Sequence, residues 1–300
     1  MSSGRVGVLL MAYGTPQDRD DIETYYTDIR RGRPPTPELL ADLVRRYDAL
    51  GGTFPLRAIT DAQVEAIRAA LAARPGTDYV VTLGTKHSTP KVEDGVRALA
   101  AEGVDRIVGL VLAPHYSRFS VGEYADRAAK AAAEHGLTVD TIESWHLLPA
   151  YVDFVTSAVR SALGRVPVGS EVVFTAHSLP ERILSTGDPY PQQLRETAEV
   201  VAERLKLDSW SVGWQSAGRT PEPWLGPDIL EIVRDRASAD AAGLVVCACG
   251  FVADHLEVAY DLDIEASALA ADVGLPFART ASVNADEAVM SALADLIAGR

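Results

Sequence analysis

The histidines of this sequence are concentrated where catalytic side chains are expected in an α/β protein. Five of the six lie at or just beyond the ends of short apolar segments: His87, His115, His177, His255 and, less directly, His146. Parallel strands bring their carboxyl ends to one edge of a sheet, and ligands bind at that edge. An imidazole there can act as a general base or as a metal ligand. The sequence therefore predicts a polar functional site at the strand ends.

His177 directly follows the apolar segment Glu171–Ala176, which makes it a candidate for proton transfer or metal binding. The four residues after it, Ser178-Leu179-Pro180-Glu181, also fit a capping box with a proline in the first helical turn. In that interpretation His177 is only the residue before a helix cap. The spacing of the residues leaves both interpretations open.

Three acids recur every four residues, at Glu257, Asp261 and Glu265, and would line one face of a helix. Such a row supplies hard oxygen ligands for a divalent cation, Mg²⁺ among them. A solvated acidic face is the alternative, because like charges at this spacing cost only roughly a few tenths of a kcal/mol per pair. Asp254-x-x-Glu257 also fits a helix cap with a returning glutamate.

The only two cysteines form the motif Cys247-Ala248-Cys249 at the end of an apolar segment. In a strand their side chains would point to the same face. Two thiolates are too few for an iron–sulfur cluster, which usually takes four protein ligands. We therefore expect no iron–sulfur cluster and interpret the pair as small apolar side chains of a buried strand.

A basic cluster, Arg30, Arg31 and Arg33, stands out in an acidic chain, with Arg45 and Arg46 on a predicted helix after it. Guanidinium groups bind carboxylates and phosphates through forked hydrogen bonds. They pair equally well with the surplus acids of the chain itself, and the sequence does not choose between these roles. There is no GxGxxG motif, Walker loop or GxSxG elbow to indicate a nucleotide site or a serine hydrolase.

Short apolar segments alternate with amphipathic stretches along the whole chain. The predicted strands are Val6–Ala12, Tyr79–Leu83, Ile107–Ala113, Leu137–Ile142, Glu171–Ala176, Trp210–Gln215, Leu244–Cys249 and a weak one near Phe277. This alternation is typical of parallel sheets covered by helices on both faces. We predict an α/β fold with two doubly wound, Rossmann-like domains of similar plan, over residues 1–150 and 151–285, and a closing helix over 286–300.

The composition excludes several classes of protein. The chain has 300 residues, 42 acids against 28 bases and a net charge of −14, which disfavours binding to nucleic acid or to an anionic membrane surface. Two cysteines cannot form the disulfide framework of a small secreted protein. No apolar run approaches the roughly 18 residues that a membrane-spanning helix needs. We expect a cytoplasmic protein without an integral membrane segment.

At the strand-end motifs the sequence resembles the ferrochelatases, and most closely the coproporphyrin ferrochelatases of Gram-positive-type bacteria. The matching segments run through almost the whole chain: LLMAYGTP at 9–16, DIETYYTDIRRGRPP at 21–35, GTKHSTP at 84–90, LAPHYSRFSVGEY at 112–124, TAHSLPERI at 175–183, GDPYPQQL at 187–194, VGWQSAGRTPEPWLGPD at 212–228 and GFVADHLEVAYDLDIEA at 250–266. The resemblance implies a chelatase-type fold with a porphyrin cleft between two domains.

The resemblance also implies roles for individual residues. His177 and Glu257 match the family's catalytic pair, which takes the pyrrole protons and receives the metal. Asp261 and Glu265 match acids proposed to lie along the path of the incoming metal. The matching porphyrin contacts are Tyr13, Arg30, Arg46 and Tyr124.

Two of these contacts need comment. Tyr13 matches the residue on the opposite face of the porphyrin, and the other contacts lie near its propionates. The family's Gly-Gly-x-Ser-Pro motif is Gly51-Gly52-Thr53-Phe54-Pro55 here, so a phenylalanine stands where the family has serine. Thr53 is the adjacent hydroxyl that we expect to take its place.

The activity implied by the resemblance is insertion of Fe²⁺, as a substrate, into coproporphyrin III with release of two protons. The expected partners are the porphyrin and a transient haem-handling protein, and no nucleic acid. Two alternatives remain: insertion of metal into protoporphyrin IX or another tetrapyrrole, and a non-catalytic carrier of haem or metal. A preference for coproporphyrin III is expected because that substrate has four propionates for the arginine cluster, whereas protoporphyrin IX has two.

Overall fold

Two four-stranded parallel sheets form the framework of the protein. The structure is a computed structural model that describes residues 4–52, 55–218 and 220–300. Within these residues the strands are β1 Arg5–Ala12, β2 Asp78–Thr85, β3 Arg106–Val111, β4 Val139–Ile142, β5 Glu171–His177, β6 Trp210–Gln215, β7 Leu244–Cys247 and β8 Phe277–Arg279. The strand order is β2-β1-β3-β4 in one sheet and β6-β5-β7-β8 in the other.

Helices follow the strands in the alternation that the sequence predicts. They are α1 Ile22–Ile29, α2 Pro37–Ala49, α3 Pro55–Ala72, α4 Val92–Ala101, α5 Val121–Ala133, α6 Pro149–Leu163, α7 Arg182–Ser185, α8 Tyr190–Leu205, α9 Ile229–Ser238, α10 Leu256–Val258, α11 Ser267–Asp272 and α12 Glu287–Ala298. A π-helical segment, Ala259–Ala266, joins α10 to α11. The predicted α/β fold with parallel sheets is confirmed, and the predicted strand ends differ by a few residues from the observed ones.

The apolar segments become strands because both faces of each sheet are covered. In β1 every residue from Val6 to Ala12 is buried, and in β7 all four residues are buried. A strand with one solvated face would alternate polar and apolar residues, whereas central strands of covered parallel sheets have continuous apolar runs. No helix in the described ranges is long and apolar enough to cross a membrane.

The chain divides into two compact units. Unit 1 comprises Met1–Ala113, Arg118–Ser144 and Asn284–Arg300, and unit 2 comprises Pro114–Ser117 and Trp145–Val283. The closing helix α12 packs against α3 inside unit 1. There the Gln63 amide donates to the backbone carbonyl of Asn284 at 2.9 Å, and Arg74 forms an ion pair with Asp295. The end of the chain therefore completes the first unit rather than standing alone.

The π-helical segment differs from the α-helix that the sequence predicts after Asp254. Its wider turn is closed by bonds such as Ser267 N–H to Leu262 C=O, five residues apart. Buried residues recur every four positions at Val258, Leu262, Ala266 and Ala270. These residues belong to the apolar core of unit 2.

Candidate active site

The topology of unit 2 places two of the predicted catalytic residues together. In the order β6-β5-β7-β8, the direction of chain progression reverses between β5 and β7, and α/β proteins bind ligands at the carboxyl ends of strands at such a switch point. His177 is the last residue of β5. Glu257 lies in α10, the first helix after β7. Both candidates therefore belong to the edge where a ligand is expected.

Glu257 lies between two imidazoles. Its Oε2 is 3.2 Å from Nδ1 of His177 and 3.7 Å from Nε2 of His255. Nδ1 of His255 lies 3.1 Å from the carbonyl oxygen of Ala253, so that nitrogen carries the proton and donates it. Phe251 contacts the ring of His255 with centroids 4.9 Å apart. The side chains of His177 and Glu257 are each about one-third exposed, so a ligand can reach them.

The environment of Glu257 keeps its carboxyl group ionised. Burial by itself would raise its pKa, but the charge and hydrogen bond of His177, together with those of His255, hold the pKa well below its usual range. A carboxylate of this kind is a weak base and a good cation ligand. Because Nδ1 of His177 faces the carboxylate, Nε2 is the nitrogen that accepts a proton when the imidazole is neutral.

The helix-cap interpretation is wrong for both candidates. The Ser178 hydroxyl donates to the carbonyl of Leu225 at 2.8 Å, and α7 begins after Glu181 with no side-chain cap. Asp254 accepts hydrogen bonds from Arg279 at 3.1 Å and from Ser282 at 2.8 Å instead of capping α10. The polar residues around His177 and Glu257 are used in tertiary contacts, which favours a functional interpretation of the pair.

The remaining acids of the row lie on the π-helical segment. Asp261 is buried and accepts a hydrogen bond from the Ser216 hydroxyl, while Glu265 is half-buried. Ser216 holds a left-handed backbone conformation with φ of 60°, which is unusual for serine. Among the residues that the structure describes, no three His, Cys, Asp or Glu side chains form a group able to hold a metal. The structure thus brings His177 and Glu257 together and leaves Asp261 and Glu265 farther along the row.

Three polar residues at this edge were missed as site residues by sequence reasoning. His255 contacts Glu257, Ser216 contacts Asp261, and Gln215 contacts the backbone of Glu257. The position of His255 at a strand end was visible in the sequence. The roles of Gln215 and Ser216 were not, because nothing in the sequence indicates which side chain reaches across from β6 to the helix after β7.

Among the predicted site residues of unit 1, Tyr13 belongs to a cluster with His87 and Asp28. Tyr13 follows β1 and is 42% exposed. Its ring meets the edge of the His87 ring, with centroids 4.7 Å apart. Nδ1 of His87 lies 2.8 Å from Asp28, which also pairs with Lys91 at 2.9 Å. Burial is the main reason why the pKa of His87 falls to about 4, so this imidazole is neutral at physiological pH.

The predicted propionate contacts have different surroundings. The Arg30 guanidinium lies over the Tyr26 ring at 5.7 Å and donates to the Arg33 carbonyl. Arg46 is 3.3 Å from Asp42. Tyr124 is buried with Lys86 above its ring, and this burial raises its pKa well above the usual value. Thr53 and Phe54 lie outside the described residues.

The two thiols are buried at the end of β7. The strand ends at Cys247, two residues earlier than predicted, and Cys249 lies in a tight turn whose N–H donates to the Cys247 carbonyl at 2.8 Å. Burial raises the pKa of the Cys249 thiol well above its usual value. A buried, protonated thiol is a packing group rather than a ready metal ligand.

Solved structures with this fold define the class. SirB, a sirohydrochlorin chelatase from Bacillus subtilis subspecies spizizenii, is similar with a TM-score of 0.58, 9% identity, and coverage of 98% of this chain and 94% of its own. CbiX, described as the terminal enzyme of sirohaem biosynthesis in denitrifying bacteria, has a TM-score of 0.56, 16% identity and 98% coverage of both chains. These likenesses establish a chelatase-type fold.

Sequence comparison identifies the family within this class. The family model for ferrochelatase matches residues 5–300. Coproporphyrin III ferrochelatase of Bacillus mycoides is 42% identical over 300 residues, 98% of this chain and 96% of the relative. The protein of the same name from Geobacillus sp. strain WCH70 is 42% identical over 307 residues, 100% of this chain and 99% of the relative. The chain therefore belongs to the ferrochelatase family, enzymes that insert Fe²⁺ into a porphyrin.

Proposed function

We propose that this ferrochelatase inserts Fe²⁺ into coproporphyrin III, yielding Fe-coproporphyrin III and two protons in haem synthesis. The observation that carries the proposal is the His177–Glu257 pair, joined at 3.2 Å at the switch point of unit 2. Relatives named coproporphyrin III ferrochelatase, similar over their whole length, support the choice of substrate. An imidazole beside an ionised carboxylate provides both groups that metal insertion requires.

The proposed division of labour follows from the charge states. Each pyrrole N–H must lose its proton as the metal enters, so a base must lie near the ring. His177 takes this role through Nε2, because its Nδ1 faces Glu257. The Glu257 carboxylate then stabilises the imidazolium that forms. After each transfer the proton leaves to water, and His177 returns to its neutral form.

The metal is a substrate that must arrive, lose water and leave with the product. Glu257 and His177 offer one oxygen and one nitrogen ligand, which replace water on Fe²⁺ one at a time. Asp261 and Glu265 continue the row and are the proposed path of the incoming cation. The same acids are the proposed site for Mg²⁺. A transient metal needs this open arrangement, whereas resident structural metals are enclosed by a full set of ligands.

Residues of unit 1 are proposed to bind the substrate. Within the described ranges Arg30 has no carboxylate partner, so its charge is available for a propionate. Arg46 shares Asp42 with Arg45 and would exchange that partner for a propionate. We assign Tyr13 to the porphyrin face and Tyr124 to the propionate region, with Thr53 supplying a hydroxyl there.

The compartment, the partners and the role of the thiols are also part of the proposal. The acidic net charge of −14 argues against nucleic acid as a partner, and we place the enzyme in the cytoplasm. The product is a poorly soluble, reactive metalloporphyrin, so a transient haem-handling protein is the expected recipient. The buried thiols of Cys247 and Cys249 are assigned to packing, and no iron–sulfur cluster is expected.

The substrate is tested by an anaerobic assay that offers coproporphyrin III and protoporphyrin IX side by side with Fe²⁺. We expect faster turnover with coproporphyrin III, because four propionates engage the arginines more fully than two. A sample without enzyme measures uncatalysed insertion. A preference for protoporphyrin IX would overturn the substrate assignment. Stoichiometric porphyrin binding without turnover would instead identify a carrier.

A further inference from the structure

Gln215 of β6 is next to His177 in the sheet and bonds to the backbone of Glu257. It ends the strand and is fully buried. Its backbone is in register with His177 across the β5–β6 ladder. Its carbonyl accepts the N–H of Ser178 at 2.8 Å. The backbone at His177 and at the residue after it is thus held by the backbone of Gln215.

The side chain of Gln215 reaches in the other direction. Its Oε1 accepts the hydroxyl proton of Thr175 at 2.9 Å, two residues before His177. Its Nε2 donates to the backbone carbonyl of Glu257 at 3.3 Å. A buried amide is costly to leave unsatisfied, so these two bonds define one side-chain conformation. Glu257 is therefore tied to the end of β5 through a single amide group.

We propose that Gln215 is a positioning residue that holds Glu257 at the correct distance from His177. The inference rests on the proposed function, because it assigns Gln215 to the service of the proposed catalytic pair. Glu257 lies in the first turn of a helical segment that continues without a break through the π-helical residues into α11, and helix ends are where helices fray. Catalytic groups lose efficiency steeply when they shift by a fraction of an ångström to an ångström. The amide contact supplies the missing restraint.

The test is Gln215→Met, which keeps the approximate length and volume of the side chain and removes both hydrogen bonds. We expect kcat for Fe²⁺ insertion to fall by about tenfold, since the pair is displaced rather than removed. Porphyrin affinity, measured by fluorescence quenching, should change by less than about twofold because the Gln215 side chain is fully buried and not exposed to a ligand. The matched control is Gln63→Met, another buried glutamine bonded to a backbone carbonyl, in unit 1. That control should retain the wild-type kcat.

A double-mutant cycle separates positioning from a general loss of structure. In a His177→Ala background, Gln215→Met should lower the residual rate by less than about twofold, because there is no longer a pair to align. Equal losses in both backgrounds would overturn the proposal, as would a folded Gln215→Met variant with wild-type kcat.

Thr175→Val provides a milder change if Gln215→Met does not fold. It removes only the hydroxyl that orients the amide, and we expect a smaller fall in kcat, again absent in the His177→Ala background. Wild-type kcat in folded Thr175→Val would contradict the proposal. An inactive wild-type enzyme would refute the proposed function itself, which is a different outcome from an active enzyme that is indifferent to Gln215.

Discussion

The two units have the same strand order but build their histidine–carboxylate pairs differently. In unit 1, Asp28 accepts from His87 and pairs with Lys91. In unit 2, Glu257 lies between His177 and His255, and both of its neighbours are imidazoles. Lysine keeps its charge throughout the physiological range, whereas imidazoles exchange protons there.

This difference suggests a structural role for the His87–Asp28 pair and a catalytic role for the His177–Glu257 pair. The Asp28 carboxylate has a permanent cation beside it, and its His87 partner is neutral, so the cluster suits the task of holding Tyr13 in place. The two side chains paired with the Glu257 carboxylate are imidazoles, and His177 and Glu257 are each about one-third exposed, so a ligand can reach them. Access for a ligand, together with imidazole partners in place of a lysine, therefore favours a chemical role for the pair of unit 2.

The largest expected effect is loss of turnover on breaking the pair of unit 2. His177→Ala and Glu257→Gln should each lose at least about 100-fold in rate, the usual scale for a positioned acid–base group. Porphyrin affinity should change by less than about tenfold. Steady-state insertion and fluorescence quenching on the same samples measure both quantities.

A matched control exists in the same unit. Nε2 of His146 lies 2.8 Å from Glu196, a second histidine–carboxylate pair that includes neither His177 nor Glu257. His146→Ala should therefore retain most of the wild-type rate. If the His177 and Glu257 variants turn over normally while circular dichroism shows that they are folded, the assignment of chemistry to this pair is wrong.

A smaller effect is expected on the pH dependence of the unfolding free energy, which should differ between the two clusters. His87 has a pKa of about 4 in the folded protein against 6.5 ordinarily, so the unfolded chain binds its proton first as the pH falls. The stability that this neutral imidazole contributes is present above pH 6.5 and is lost between pH 6.5 and about 4. The contribution of Glu257, whose pKa is lowered, is lost only as the pH falls below its ordinary value of 4.5.

Urea unfolding at a series of pH values tests this difference. Replacing His87 with glutamine should reduce the pH slope of the unfolding free energy between pH 6 and 5 by up to one proton, about 1.4 kcal/mol per pH unit. The titration of the Glu257 carboxyl group itself contributes to the slope only below about pH 4.5. Identical slopes in wild type and His87→Gln would show that His87 is protonated in the folded protein.

The smallest effect on activity is expected from the thiols near the pair of unit 2. Replacing Cys247 and Cys249 with alanine should cost about 1–2 kcal/mol of stability through lost packing and leave metal insertion nearly unchanged. Urea unfolding and the steady-state assay measure the two quantities. A sulfur-to-iron charge-transfer band in the wild type that disappears in the double variant would show that the thiols bind iron.

The sequence by itself determined the alternation of strands and helices and the positions of the candidate catalytic residues. Short continuous apolar runs such as Val6–Ala12 are typical of covered parallel strands, because both faces of such a strand are buried. His177 and Glu257 were identified because strand ends converge in such a sheet. These inferences depend on the local pattern of apolar residues and on the convergence of strand ends in a parallel sheet.

The tertiary structure alone decided which polar residues cooperate. Ser178 and Asp254 fit helix caps locally, yet they bond to Leu225 and to Arg279 and Ser282 instead. The π-helical turn and the reach of Gln215 to Glu257 depend on how the segment after β7 packs on its sheet. Capping motifs and helical periods involve neighbours in sequence, whereas a buried hydrogen bond is made with whichever partner the folded chain brings within about 3 Å.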